Sequence, residues 1–103
     1  MGDAEREAEA FRILEENFSE EVRNGAYALV LDQVGRFIEK NKLRKTNFPQ
    51  HANSALYTLA LGLAKNNLVT KPAEAEKYLE EQLMSIRESG LNVVEKIFKE
   101  TTA

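Results

Sequence analysis

Nearly every segment of this chain repeats its apolar residues with a helical period, and little interrupts that period. Two prolines and five glycines, spread out, leave no room for a linker or a low-complexity tract. No internal repeat is visible. Only 26–31 could pass as a buried strand, and it sits inside a longer helical pattern. A chain of 103 residues is one domain, long enough to bury a core without disulfides. The expectation is all-α: a compact antiparallel bundle of four to five helices joined by short connections.

The first helix is expected from about Asp3 to Phe18, with early glutamates suiting the positive end of its dipole. Its apolar stripe is thin: Phe11, Leu14 and Phe18, with Ala4 and Ala10 at the edges. A thin stripe on a highly charged helix predicts a peripheral position. Ser19 reads as the N-cap of a second helix reaching Asn41 or Leu43. There Val22, Ala26, Tyr27, Leu29, Val30, Leu31, Val34, Phe37 and Ile38 cover an arc of roughly 200°, about twice what a surface helix needs. That helix must pack on two neighbours, or on one neighbour and another chain.

The third helix is expected over 49–66 and is the most central. No charged side chain lies between Thr46 and Ala64 unless His51 is protonated. Ala52, Ala55, Leu56, Leu59, Ala60, Leu63 and Ala64 form one face, widened by Tyr57 and Leu61. Asn66-Asn67 stops it, because Asn tolerates the left-handed cap. Thr70 restarts the chain as an N-cap. At Ser89-Gly90 the last helix either ends or continues. Leu79, Leu83, Ile86, Gly90, Val93, Val94 and Ile97 keep one phase, which favours a continuous helix over 71–99, bent at Gly90. Gly35 and Gly62 each cost helix propensity, of order 1 kcal/mol against Ala, and close packing is the expected reason for both.

Chemistry is sparse. With no cysteine there is no disulfide, thiolate zinc site or cysteine nucleophile. His51 is the only histidine, and its nearest acids, Glu39 and Glu74, are distant in sequence. Glu15-Glu16, Glu20-Glu21 and Glu80-Glu81 are adjacent pairs, so their side chains point about 100° apart and share no site. The glycines are isolated within helices and make no phosphate loop. No catalytic residue, metal site or cofactor is expected. The acidic Met1–Glu5 start does not read as a signal peptide, and no run approaches a membrane span. Both fit a cytoplasmic protein without membrane contact.

Charge is distributed unevenly. Residues 1–21 carry eight acids against two bases, 22–72 eight bases against two acids, and 73–103 seven acids against four bases. A basic middle between acidic flanks marks either a polyanion-binding surface or helices that attract each other within the fold. Lys40, Lys42, Arg44 and Lys45, with Arg36, Lys65 and Lys71, are the candidate nucleic-acid contacts. Tyr27, Leu31, Ile38, Tyr57 and Leu61, at the edges of wide apolar arcs, are the candidate interface with a second copy or a protein partner.

The run Asn53–Lys65, Asn-Ser-Ala-Leu-Tyr-Thr-Leu-Ala-Leu-Gly-Leu-Ala-Lys, resembles the central helix of the small helical subunit of type III-B CRISPR effector complexes. Thr70–Ala75 is similar to the start of that family's next helix, and 26–34 to its first. The family's further C-terminal helices have no counterpart here, nor does the acidic first helix have one there. The resemblance implies a non-catalytic subunit that stacks along a ribonucleoprotein filament. The excess of apolar arc on the second and third helices and the absence of site chemistry make the expected function a non-enzymatic module that self-associates or docks on a larger complex; the alternative is a small subunit of a ribonucleoprotein complex contacting nucleic-acid backbone through 40–45.

Overall fold

The computed structural model describes residues 3–43, 52–89 and 91–102. Among these the chain is an all-α bundle of five helices: α1 (Asp3–Asn17), α2 (Glu20–Lys40), α3 (Ala52–Lys65), α4 (Pro72–Ser89) and α5 (Leu91–Thr102). No described helix is long and apolar enough to cross a membrane.

The local stops are set by side-chain chemistry. Ser19 adopts an extended backbone and its Oγ accepts from the Val22 N–H at 3.3 Å, which caps α2. The C-terminal ends of α2 and α3 share one device. Lys42 and Asn67 take left-handed φ values of 53° and 56°. The next N–H then reaches back five residues, Leu43 to Ile38 O and Leu68 to Leu63 O, both at 2.9 Å. Leu43 and Leu68 pack on the core, completing the motif at each end. Asn suits that conformation; Lys42 holds it against the ordinary preference of a residue with a Cβ.

Helix α3 is the centre, and α1, α2 and α5 all pack on it. Every residue from Thr58 to Ala64 is buried, so α3 has no solvent side along that stretch. This absorbs Leu61, expected at an interface, which is fully buried. The expected single face of α3 was too narrow, because neighbours surround the helix rather than flank it.

One arrangement differs from the expected layout. The continuous helix over 71–99 is two helices, with Gly90 outside the described residues. Tyr78 and Gln82 of α4 line one pocket with Ile97, Glu100 and Thr101 of α5. On a single straight helix Tyr78 and Glu100 would stand about 33 Å apart. The chain therefore reverses after Ser89, and the shared phase serves two helices that meet the same core. Leu29 to Arg36 flank Pro72 to Leu79, Lys40 pairs with Glu80 at 3.1 Å, and Asn41 accepts from Arg87 at 3.1 Å. Helices α2 and α4 thus run side by side in the same direction, as alternate helices of an up-and-down bundle do, because α3 carries the chain back between them.

Helix α1 docks through Ala10 and Leu14 of the expected stripe together with Arg6, which the apolar pattern did not pick out. Ala10 and Leu14 are fully buried and Arg6 is only 3% exposed, while Phe11 is 41% exposed. Arg6, Ala10 and Leu14 succeed one another at four-residue steps on one face. Alanine at its middle allows close approach to α3, so a short stripe seats the helix firmly. The Arg6 guanidinium reaches Glu95 of α5 at 3.9 Å, so a charged side chain joins two helices beside the core.

Candidate functional site

Of the five basic candidates among the described residues, three already stand beside carboxylates. Arg36 Nε lies 3.1 Å from Asp32, Lys40 Nζ 3.1 Å from Glu80, and Lys71 Nζ 4.0 Å from Glu74. Each of these cations is exposed and already has a carboxylate beside it. Lys42 is exposed at its left-handed cap. Lys65, at the end of α3, lines the polar pocket that also holds Glu100. Arg44, Lys45 and His51 lie outside the described residues. The charge asymmetry along the chain is thus partly spent inside it: the basic end of α2 meets the acidic start and middle of α4.

Among the described residues no cluster of His, Asp and Glu could hold a metal ion. The exposed carboxylates of α1 serve its own surface. Arg12 bonds both Glu9 and Glu16, and the bond to Arg12 holds the Glu9 carboxyl below its ordinary range.

The interface candidates behave differently. Leu31 is 60% exposed, the most open large apolar side chain of the described residues. It is aligned on α2 with exposed Ala28 and Gly35 and half-buried Ile38, at steps of three and four residues. Tyr27 and Val34 flank this line and are half-buried. The opposite face of α2 supplies Ala26, Val30 and Phe37 to the core. Helix α2 therefore has one covered and one uncovered apolar face. Gly35 sits in the uncovered one, with open space where a Cβ would be. The close packing expected to explain Gly35 is absent among the described residues. It is present at Gly62, where a Cβ would overlap the Tyr78 hydroxyl, and at Gly25, where it would stand 2.8 Å from a Val69 methyl.

Tyr57 and Tyr27 belong to an aromatic row at the α1 side of α3. Tyr57 meets Phe11 edge-on at 5.4 Å and Tyr27 edge-on at 5.5 Å. Burial raises the Tyr27 hydroxyl above its ordinary pKa, with the neighbouring Tyr57 adding to the shift. Phe11 was read as part of α1's inward stripe. It reaches the row from the flank of α1 instead, beside a shallow groove of about 430 Å³ lined by Ala4, Glu7, Ala8, Phe11 and Tyr57. That groove joins residues 46 or more apart in sequence, so helical periodicity could not reveal it. The only sequence signal was Phe11 itself, in a helix with few other large apolar groups. No protein-family model, curated protein or solved structure matches this chain.

Proposed function

We propose that this chain is a non-enzymatic assembly module that self-associates through the outward face of α2. The observation that carries the reading is Leu31, 60% exposed in line with Ala28, Gly35 and Ile38 on a helix whose other face is core. Apolar side chains aligned on one exposed face are characteristic of contact surfaces. A mid-helix glycine with nothing packed on it costs of order 1 kcal/mol against alanine, and a second helix approaching at Gly35 would give that cost a structural return. The rim favours a like partner. Asp32 and Arg36 neutralise each other there, so two copies of the face meet without net repulsion.

The nucleic-acid alternative draws less support. Arg36, Lys40 and Lys71 would each have to leave a carboxylate before binding phosphate.

Sedimentation equilibrium over a wide concentration range tests the reading. Mass should rise with concentration, and Leu31→Glu should return the chain to monomer with unchanged helix content. A strict monomer at the highest concentration overturns it. Salt-sensitive RNA binding by such a monomer, lost in Arg44→Glu/Lys45→Glu, would put the alternative in its place.

A further inference from the structure

The groove beside Phe11 has a character opposite to that of the α2 face. Its floor is apolar: Ala4, Ala8, the 41%-exposed ring of Phe11 and the edge of Tyr57. Its rim is acidic. Glu7 lines it, and Glu15 lies two turns further along the same side of α1. Among the described residues no cation pairs with Glu7 or Glu15. The described cations nearby, Arg6, Arg12 and Arg23, are committed elsewhere. Arg12 is held by Glu9 and Glu16, and Arg6 is buried on the far side of the helix. Arg23 donates to the backbone carbonyls of Glu15 and Phe18 at 3.0 and 3.1 Å, closing the end of α1.

From this we infer that the α1 groove docks a basic amphipathic helix of a partner protein. The occupant places one apolar side chain on Phe11 and Tyr57 and a Lys or Arg to either side. Glu7 and Glu15 stand about 12 Å apart along α1, which matches basic residues two turns apart on the occupant. The carboxylates steer the encounter and set its register; the apolar anchor supplies most of the affinity. A separate partner is favoured over a second copy, in which Arg36, Lys40 and Lys71 already hold acids. None of the residues lining the groove is on α2, so the inference stands independently of self-association.

The probe is a synthetic leucine–lysine amphipathic peptide carrying one tryptophan. The protein has no tryptophan, so the emission reports the peptide alone. Full-length protein should raise its anisotropy and shift its emission to the blue. Glu7→Gln/Glu15→Gln should weaken binding about tenfold, as losing two exposed charge contacts does. Phe11→Ala should do the same or more. Glu9→Gln/Glu16→Gln, on the other side of α1, should leave binding unchanged, and circular dichroism should show all variants folded. Equal weakening by both glutamine pairs would reduce the effect to bulk charge and overturn the inference. So would equal binding of a leucine–glutamate peptide. Tighter binding of a peptide copying residues 36–48 would also overturn it, by making the occupant a second copy. Repeating the titration on Leu31→Glu separates the two surfaces: binding should persist there whether or not the wild type self-associates.

Discussion

Helices α2 and α3 both carry apolar arcs too wide for a surface helix, yet they end in opposite situations. Along α3 the arc is covered on every side, and Thr58 to Ala64 are all buried. Along α2 it is covered on one side, and Leu31 stays open. Their glycines repeat the contrast: Gly62 lies under the Tyr78 hydroxyl, and Gly35 faces open space. The width of an apolar arc states how much surface needs a neighbour. It does not say whether the neighbour belongs to the same chain.

The largest expected effect tests α3. Leu61→Ala should cost about 2–5 kcal/mol, read from urea unfolding midpoints, as truncation in a closed core does. A loss no larger than that of an exposed residue would mean α3 is not enclosed. Gly62→Ala should cost about 1–3 kcal/mol through overpacking against Tyr78, and Tyr78→Phe in the same chain should return part of it. Gly35→Ala should do the reverse. With open space for the methyl it should stabilise the isolated fold by about 0.5–1 kcal/mol while weakening self-association, because the face closes. Two glycines with the same sign of effect would break the comparison. Leu31→Ala should change unfolding of the monomer by less than about 0.5 kcal/mol, as exposed substitutions do, and act on sedimentation alone.

The smallest effect is a pH dependence. Burial raises the Tyr78 hydroxyl above its ordinary pKa of 10.0, with Glu100 adding to the shift. The folded chain therefore binds the Tyr78 proton more tightly than the unfolded chain. The associated stability is whole below pH 10 and is lost as pH rises through the higher folded value. Tyr78→Phe should flatten that alkaline decline in unfolding midpoints measured across pH 9–12; an unchanged decline would place its cause at another tyrosine or at the lysines.

The helices themselves were legible from the residues because their signals are local. The Ser19 cap, the Asn67 stop and the uncharged α3 are each written within a few positions. Leu31 and Tyr27 were legible as interface candidates for the same reason, since a wide arc can be counted on a wheel. Leu61 was misplaced by that same count. Both stand at the margin of an arc, and only the neighbouring helices distinguish an edge that is covered from one that is open. For Arg36, Lys40 and Lys71, composition showed the charges and the structure showed their partners. Lys40 and Glu80 are 40 residues apart and no periodicity links them.

By itself the sequence determined that this chain is all-α, where α1, α2 and α3 lie to within a few residues, and that it carries more apolar surface than a surface-facing layout would need. Those properties follow from backbone hydrogen bonding and side-chain period, which act over one or two turns. The tertiary structure decided which faces close. It turned the chain after Ser89, set α2 and α4 in the same direction, buried Leu61, and left Phe11 and Leu31 outside. These outcomes depend on which surfaces meet across tens of residues. Exclusion of water rewards any fitting pair of apolar faces, so the choice rests on shape: the alanine at the middle of α1, the missing Cβ at Gly62, the reversal between α4 and α5.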